Sequence, residues 1–304
     1  MLIIGEDDGK VYAVTFSPNG EDLWSVAGKA VGMWRVKDGK QMARMEVEEG
    51  RCLAVSKDGR WIAAGMEWEG LAVWNAKTYE RAFSVSDMEG CDDVDFSPDS
   101  VRLVSTKKRA SAIIWDVASG KQVQTLYYKD PRGSGVEMYA AKYSPQGDRI
   151  VTASLHFVEV WDSNDGRLLL KIDIQCSLPR NKGLHWRNDH LFVASSGKVQ
   201  QISASTGSKI SEWPAPGADS SSCMALPQHG EFIACSTEHS VTFWDTATRT
   251  QLSLIQYPHG IRSIALSPDN RFLATGPAGR GGKITIQSLS HVAVSIYLIR
   301  LWCI

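Results

Sequence analysis

Short segments in which apolar and polar residues alternate, separated by clusters of turn-forming residues, follow one another along the whole chain. The stretch from Val94 to Leu126 shows this pattern most clearly. Its segments VDF, VRLVS, AIIWDV and KQVQTL are separated by SPDS, TKKRAS and ASG. Runs of this length bounded by Pro, Gly, Asp and Ser are typical of antiparallel sheets in which consecutive strands pair. The stretch therefore predicts four short strands in a row.

The same unit recurs seven times. Two markers show it: the residue just before the first turn and the residue that ends the third segment. The first marker falls at Phe16, Val55, Phe96, Tyr143, Trp186, Leu226 and Leu266, and the second at Trp34, Trp74, Trp115, Trp161, Ile202, Trp244 and Gln287. Both series keep intervals of 39 to 47 residues. Such a period is the signature of a repeat architecture.

The two markers delimit the units, which together predict a single domain over residues 1–304. The units cover approximately 10–46, 50–85, 91–127, 136–173, 182–213, 221–256 and 261–288. Unit five is the most eroded, because HWRNDH replaces its Ser-Pro turn. The irregular linkers 130–135 and 214–220 are too short to separate domains.

A glycine five residues after the second marker provides a third regular feature. It closes the last turn in four units, at Gly39, Gly120, Gly166 and Gly207. Glycine fits because tight hairpin turns often require a positive φ. The same spacing places Ile202 at the tryptophan position of unit five. Units two and six carry Tyr79 and Arg249 at the glycine position, and we therefore expect turns of another type there.

A period of 40 to 47 residues, S-P-D/N-G turns and Trp-Asp at 115–116, 161–162 and 244–245 resemble the WD-repeat (WD40) family over about residues 10–288. The resemblance implies an all-β fold, a seven-bladed β-propeller of four-stranded antiparallel blades. One blade cannot bury its faces alone, so seven are expected to pack radially and close into a disc. Five tryptophans are expected to fill structural positions between blades: Trp34, Trp74, Trp115, Trp161 and Trp244.

The chain departs from the family pattern in its buried polar residues. Family members usually carry Gly-His before the inner strand and Asp before the third strand, which form a hydrogen-bonded tetrad with a Ser and the Trp. Gly-His is absent from every unit, and only Glu238 is acidic at the Asp position. We therefore expect most tetrads to be missing and the blades to pack through apolar contacts. The Trp-Asp-x-Arg motif of cullin ubiquitin-ligase receptors is also absent, which weakens that role.

Closure of the ring has several solutions at the sequence level. The resemblance implies that an N-terminal strand, here Leu2–Ile4, completes the last blade. The apolar tail 289–304 offers a closing strand of its own. Residues 298–302 could also be the true third strand, with 283–296 as an insertion, or the tail could be a truncated or misread end. We favour 283–288 as the third strand, followed by a tail that does not fit the repeat.

Composition limits the functional classes. The chain has 304 residues, is 43% hydrophobic and 22% charged, and carries a formal net charge of −1. This is typical of a globular protein and argues against binding nucleic acid or an anionic membrane as a whole. The six cysteines are scattered without a C-x-x-C pair. With neither a signal peptide nor a membrane-spanning run predicted, we expect an intracellular protein of the cytoplasm or nucleus.

Candidate chemistry is sparse. The seven histidines fall in different units without metal-ligand spacing. The segments SSSC (220–223) and GRGG (279–282) lack the strand-to-helix context that nucleophile and phosphate-binding motifs require. We therefore predict no enzyme activity, no metal and no cofactor.

The loops carry a charge pattern. In propellers of this kind, the loops that enter each inner strand share one face with the loops between second and third strands. The loops of units one to three are acidic there, and those around units three to five are basic. The members of this predicted protein-binding face are Asp7, Asp8, Glu48, Glu49, Asp92, Trp68, Lys107, Lys108, Arg109, Arg132, Arg180 and Lys182. Trp68 is the best single anchor, since exposed tryptophan is enriched at binding hot spots.

The sequence therefore predicts a non-catalytic scaffold that binds other proteins or peptides through this face, as a monomer or as a subunit of a larger complex. Solvated loops without a partner are the simplest alternative. A sensor module of a larger signalling or ubiquitin-ligase-associated protein is a second alternative. A propeller enzyme or small-ligand binder that uses the central channel is a third.

Overall fold

A computed structural model describes residues 1–5, 10–86, 88–107, 111–127, 137–154, 156–174, 183–195, 197–215, 223–227, 232–279 and 283–290. These described residues form 28 β-strands, arranged as seven four-stranded antiparallel sheets. The sheets are the blades of a seven-bladed β-propeller. The fold class predicted from the repeat is therefore confirmed.

The first strand of each blade lies innermost, and the first strands of neighbouring blades contact each other around a closed ring. Numbered along the chain, they are β2 (Val11–Phe16), β6 (Gly50–Val55), β10 (Val94–Phe96), β14 (Met138–Tyr143), β18 (Leu184–Arg187), β22 (Met224–Ala225) and β26 (Ile261–Leu266). The second strands are β3 (Asp22–Ala27), β7 (Trp61–Met66), β11 (Arg102–Lys107), β15 (Arg149–Ser154), β19 (His190–Ser195), β23 (Phe232–Ser236) and β27 (Phe272–Pro277).

The third and fourth strands complete each blade outward. The third strands are β4 (Ala30–Arg35), β8 (Leu71–Asn75), β12 (Ser111–Asp116), β16 (Phe157–Asp162), β20 (Lys198–Ser203), β24 (Ser240–Asp245) and β28 (Ile284–Ser288). The outermost strands are β5 (Gln41–Glu46), β9 (Arg81–Val85), β13 (Gln122–Tyr127), β17 (Leu168–Asp173), β21 (Lys209–Pro214), β25 (Gln251–Gln256) and β1 (Leu2–Ile4).

The N-terminal strand closes the ring. β1 pairs antiparallel with β28, and the register joins Leu2 to Ile286 and Ile4 to Ile284. The last blade therefore has the order β26, β27, β28, β1. Residues 284–288 form its third strand, as we favoured from the sequence. Residues 291–304, for which the sequence left several interpretations open, lie outside the described residues.

The hydrophobic core is divided among the junctions between blades. Each of seven clusters of buried side chains in the described residues draws on two neighbouring blades. The cluster between blades 3 and 4, for example, packs Ile114 and Leu126 against Ile150 and Trp161. Burial at these junctions is the main force that joins the blades, because a four-stranded sheet exposes two apolar faces when it is alone.

The second sequence marker occupies one structural position in all seven blades. In each blade it pairs with the second residue of the second strand, as Trp34 pairs with Leu23 and Gln287 with Leu273. Ile202 pairs with Leu191 in the same way. The five predicted structural tryptophans are 2–8% exposed.

Three blades contain a buried polar contact of the kind that the WD-repeat resemblance describes, which was not expected from the sequence. In each of them the indole N–H of the structural tryptophan donates to a hydroxyl on the second strand. The hydroxyl belongs to the residue two positions after the tryptophan's pairing partner. These bonds join Trp34 to Ser25 at 2.9 Å, Trp115 to Ser105 at 2.8 Å and Trp161 to Thr152 at 2.8 Å. Blades 1, 3 and 4 therefore each add one hydrogen bond to the apolar packing that was expected from the largely missing tetrads.

The Ser-Pro turns are held by the serine. Ser97 Oγ donates to Asp99 at 2.5 Å and accepts the backbone N–H of Arg102 at 2.8 Å. This side-chain bonding explains why Ser and Asp or Asn recur at these positions. In blade 5 Arg187 pairs directly with His190, so a two-residue turn replaces the motif.

The expectation of a different last turn in blades 2 and 6 is wrong. Tyr79 and Arg249 adopt φ values of +62° and +63°, close to +66° at Gly120. Each also donates its N–H to the carbonyl four residues earlier, at 2.9 Å. The strand register therefore imposes the same last-turn conformation on blades 1 to 6, whichever residue occupies this position. A residue with a Cβ is strained in that conformation. For Tyr79 a ring contact with Trp24, at 6.3 Å between centroids, offsets part of that strain.

Candidate functional site

The loops that lead into the innermost strands and the connections between second and third strands lie on one side of the disc, because all innermost strands run in the same direction. We call this side the loop face. The turns that leave the innermost strands and the turns between third and fourth strands form the opposite face.

Four innermost strands carry a β-bulge at their loop-face end. The strand register skips Tyr12, Arg51, Tyr139 and Arg262, which are equivalent residues of blades 1, 2, 4 and 7. A bulge of this kind redirects a side chain that regular pairing would place on one face of the sheet. The equivalent positions therefore carry aromatic and cationic side chains at the loop-face ends of the innermost strands, which surround the mouth of the central channel.

Three of these side chains stack across neighbouring blades. The guanidinium carbons of Arg51 and Arg262 lie 5.1 Å and 4.5 Å from the centre of the Tyr12 ring. Arg51 also forms an ion pair with Glu67, which follows β7 and is 9% exposed. Cation–π contacts and a shielded ion pair fix this side of the mouth.

A second polar group ties blade 3 to blade 4 deeper in the channel wall. The carboxylate of Asp93 accepts the backbone N–H of Ala141 at 3.1 Å, and that of Asp95 accepts the N–H of Tyr143 at 2.8 Å. Lys142, between these two amides, places Nζ 2.9 Å from Asp93. Two carboxylates spaced two residues apart thus match two amides with the same spacing.

Burial raises the pKa of Asp93 to about 6, although Lys142 acts in the opposite direction. Burial also raises the pKa of Asp95. For Lys142 burial alone would lower the pKa, but Asp93 and Asp95 together raise it above its usual value. The Asp93–Lys142 pair is therefore charged at neutral pH. The sequence signal for this tie is the alternation Asp93-Val94-Asp95 at the innermost strand β10.

His185 forms a comparable tie between blades 5 and 6. Its Nε2 lies 2.6 Å from the carbonyl oxygen of Met224. Burial lowers the pKa of His185 to about 4. The imidazole is therefore neutral at neutral pH and donates its Nε2 proton to that carbonyl. The ionisable groups Asp93, Lys142 and His185 are thus committed to structural bonds between blades.

On the loop face of blade 2, an exposed tryptophan is held in position. Trp68 is 66% exposed, and its Nε1 donates to the carboxylate of Glu49 at 3.1 Å. The two loops are also joined along the backbone, where the N–H of Glu67 donates to the carbonyl of Glu49 at 3.0 Å. An apolar ring of this size is therefore presented to solvent on a fixed support.

The residues of the predicted protein-binding face differ in exposure. Glu48 and Glu49 are exposed beside Trp68, whereas Lys107 is half-buried at the end of β11. Asp92 is only 8% exposed, and its backbone N–H donates to Thr106. The remaining members lie outside the described residues: Asp7, Asp8, Lys108, Arg109, Arg132, Arg180 and Lys182. The arrangement of the two charge signs across the face stays a prediction.

Two grooves flank the closing strand β1. The larger, of about 810 Å³, lies on the opposite face between Asp22, Arg35 and Arg271. The smaller, of about 370 Å³, opens near the loop face between Tyr257, His259 and Pro277. Among the described residues no group of three His, Cys, Asp or Glu side chains is arranged to hold a metal ion. That part of the chain also contains no helix that is long and apolar enough to cross a membrane.

Comparisons with known proteins agree with the repeat. The family model described as "WD domain, G-beta repeat" matches residues 251–286. WD repeat-containing protein 18 of Danio rerio is 23% identical over 273 residues, which cover 80% of this chain and 62% of that protein. U3 small nucleolar RNA-associated protein 15 homolog of Xenopus laevis is 22% identical, over 88% of this chain and 52% of that protein.

WD repeat-containing protein 1 of Gallus gallus is 24% identical, over 75% of this chain and 37% of that protein. The chain thus spans about 37–62% of the length of these three curated relatives. Among solved structures, hydrazine synthase of Kuenenia stuttgartiensis superimposes with a TM-score of 0.78 over 94% of this chain and 97% of that chain. At 17% sequence identity, that likeness shows the fold alone.

Proposed function

We propose that this chain, a divergent member of the WD-repeat family, is a non-catalytic scaffold that binds other proteins through its loop face. The curated relatives named above support an interaction role at the level of the family. We further propose that it acts inside the cell, in the cytoplasm or nucleus, as a monomer or as a subunit of a larger complex. The nucleolar relative, by its name, supports an intracellular setting.

The exposed indole of Trp68 is the observation that carries the proposal. Tryptophan is enriched among the residues that dominate binding energy, and an ordered ring loses little freedom when a partner covers it. The hydrogen bond to Glu49 supplies that order. A large aromatic ring that faces solvent on an ordered loop is what a binding surface requires.

The polar groups near the channel support the scaffold over an enzyme. Asp93 and Lys142 neutralise each other, and His185 is bonded to a backbone carbonyl. A catalytic acid or base needs to reach substrate and exchange a proton near its working pH. If Asp93, Lys142 or His185 exchanged a proton with a substrate, the bond that it makes between neighbouring blades would be weakened.

The test compares surface variants of the two faces by quantitative affinity purification. The loop-face set is Lys29→Glu, Trp68→Ala and Glu238→Lys, and the opposite-face set is Lys37→Glu, Val101→Ala and Asp165→Lys. All six positions are exposed. We expect specific partners to be lost only with loop-face variants. An unchanged partner set in all six variants, or losses confined to the opposite face, would overturn the proposal.

A further inference from the structure

We propose that Cys52 and Cys91 form a modification site, at which hydrogen peroxide oxidises the two thiols to a disulfide that joins blade 2 to blade 3. Cys52 is the third residue of β6, and Cys91 precedes β10 by three residues. The two cysteines are 39 residues apart in the chain, so their spacing gives no sign that they meet. The chemistry of this pair does not depend on the proposed scaffold function.

Gly65 leaves the space in which the two thiols meet. Cys52 pairs with Gly65 across β6 and β7. A Cβ at Gly65 would lie 2.5 Å from Sγ of Cys52 and 2.6 Å from Sγ of Cys91. The two sulfurs are therefore separated by at most the sum of these distances, about 5.1 Å. Two sulfur atoms thus fill the place that a side chain at Gly65 would take.

The protonation of Cys52 shows the same proximity and indicates which oxidant fits the site. Burial raises the pKa of Cys52 above its usual value, and the neighbouring thiol of Cys91 raises it further. Both residues are buried, at 2% and 1% exposure. Thiols that stay protonated and shielded react slowly with bulky reagents. We therefore expect a small uncharged peroxide to oxidise the pair more readily than glutathione disulfide does.

The bonds that hold the two thiols are weak enough to be exchanged. The thiol of Cys52 donates to the carbonyl of Cys91 at 3.7 Å, and the thiol of Cys91 donates to the carbonyl of Asp93 at 3.3 Å. A thiol is a weak donor. The sulfurs need to approach to about 2 Å, and we expect rotation about the two Cα–Cβ bonds to bring them there. The backbone is already joined beside the pair, because the N–H of Cys91 donates to the carbonyl of Met66 at 2.9 Å.

The oxidation balances with hydrogen peroxide as its co-reactant. One sulfur, after losing its proton, attacks a peroxide oxygen. The O–O bond breaks, the sulfur becomes a sulfenic acid, and the released hydroxide takes up the proton to form water. The second sulfur then attacks the sulfenic sulfur and the S–S bond forms, while the second thiol proton leaves with the hydroxyl group as another water. The two thiols lose two electrons in total, and one peroxide gains them.

The disulfide changes the stability of the ring. It closes a loop between cysteines that are 39 residues apart and so restricts the unfolded chain more than the folded one. We expect oxidation to raise the melting temperature by roughly 5–10 °C. Reduction with dithiothreitol should reverse that rise.

Blade 6 offers the matched control. Cys223 occupies in blade 6 the position of Cys52, three residues before the first sequence marker. The position of Cys91, five residues before that marker, is taken in blade 7 by Ile261, so an apolar side chain stands where the second thiol would be. Cys223 and Cys235 pack on opposite faces of blade 6, in the clusters shared with blade 7 and with blade 5.

Peptide mapping by mass spectrometry tests the pairing. The native full-length protein is treated with hydrogen peroxide, and the remaining thiols are alkylated after denaturation. Trypsin then releases Cys52 in residues 52–57 and Cys91 in residues 82–102. We expect these two peptides to be joined by a disulfide, while Cys223 and Cys235 are recovered as alkylated thiols. Glutathione disulfide at the same concentration should give far less of the joined pair, and an equal yield would overturn the part assigned to peroxide.

Thermal unfolding shows whether the link acts between the blades. Peroxide should raise the melting temperature of the parent and of Cys223→Ser, and it should leave Cys52→Ser and Cys91→Ser unchanged. Unfolding in dithiothreitol confirms that each variant is folded, and the peptide map of the parent decides the pairing without any substitution. Recovery of Cys52 and Cys91 unlinked, their linkage mainly to other cysteines, or a rise that persists in Cys52→Ser would overturn the inference.

Discussion

Blades 4 and 5 solve the same packing problem in opposite ways. In blade 4 the indole of Trp161 donates to Thr152, whose hydroxyl donates to buried Glu159 at 3.3 Å. In blade 5 the residues at the positions of Trp161 and Thr152 are Ile202 and Val193, both apolar and at most 3% exposed. Blade 4 thus buries a series of hydrogen-bonded polar side chains, whereas blade 5 buries apolar side chains at the positions of Trp161 and Thr152.

Blades 4 and 5 show the two arrangements that leave no buried group without a partner at these positions, because indole and hydroxyl are both present in one and both absent in the other. A buried N–H without an acceptor, or a hydroxyl without a partner, costs about 1–3 kcal/mol, whereas replacing both groups by apolar ones is nearly neutral. Blade 6 shows the intermediate case. Trp244 faces the position of Cys235 instead of a serine, and its Nε1 is buried without a hydrogen-bond partner among the described residues.

The largest expected effect concerns Glu159, which is 2% exposed. Burial raises its pKa to about 7, although Thr152 and Lys171 act in the opposite direction. Because the pKa of Glu159 is higher in the folded than in the unfolded state, its protonation contributes to the free energy of unfolding. This contribution is fully present below about pH 4.5 and is lost as pH rises through about 7. We expect Glu159→Gln, which copies Gln200 of blade 5, to remove this dependence and to be more stable at pH 8 by on the order of 3 kcal/mol.

Chemical denaturation of both proteins from pH 4.5 to 8.5 checks this prediction. Only the difference between variant and parent is diagnostic, because carboxyls with lowered pKa values, such as Asp58 and Asp99, contribute an acid-side loss in both proteins. A difference that stays constant with pH would show that Glu159 is not protonated in the folded state.

The next effect tests whether blade 5 depends on being apolar. Val193→Thr adds a hydroxyl with nearly the same shape beside Ile202, where no indole meets it. We expect a loss of about 1–3 kcal/mol in the free energy of unfolding. The reciprocal change, Thr152→Val in blade 4, should lose a similar amount because it leaves the Trp161 indole without its acceptor. Urea unfolding of both variants measures the two changes in the free energy of unfolding. A Val193→Thr variant as stable as the parent would contradict the comparison between blades 4 and 5.

A smaller gain is expected where blade 6 lacks its acceptor. Cys235→Ser places a hydroxyl at the position from which Ser25 and Ser105 bind their tryptophans. We expect a stabilisation of about 1 kcal/mol, the usual net contribution of a buried hydrogen bond. The control is Cys235→Ala, which removes the thiol without supplying an acceptor. A serine variant no more stable than the alanine variant would contradict the account of Trp244.

The smallest effect extends the comparison to the last turn of each blade. Blades 4 and 5 use Gly166 and Gly207 there, and blade 6 uses Arg249 at φ +63°. We expect Arg249→Gly to stabilise the protein by about 0.5–1 kcal/mol because the left-handed conformation no longer crowds a Cβ. Tyr79→Gly in blade 2 should destabilise instead, since its ring packs against Trp24. Thermal unfolding distinguishes the two signs.

The blades could be found from the sequence because their markers are local. Trp115 pairs with Leu103, twelve residues away, and the Ser97 turn closes within five residues, so each unit carries its own signal. The closing strand carries little local signal, since three apolar residues at Leu2–Ile4 pair with residues 284–286. Only the family resemblance suggested that partnership.

The candidate site was predictable only in part. Trp68 and its acidic neighbours could be identified because a charged loop with one aromatic residue is visible in the sequence. The ties made by Asp93 and Asp95 could not, because their partners are backbone amides of another blade. Side-chain patterns do not encode such partners. The turns at Tyr79 and Arg249 escaped for a related reason, since the strand register overrode the preference for glycine.

The pairing of β1 with β28 also sets an order of events during synthesis. Residues 2–4 leave the ribosome about 280 residues before their hydrogen-bonding partners, residues 284–286. At 5–20 residues per second the nascent chain waits roughly 15–60 s before the ring can shut. During that interval the edge of β1 is unpaired, and unpaired strand edges of this kind are prone to associate with other chains.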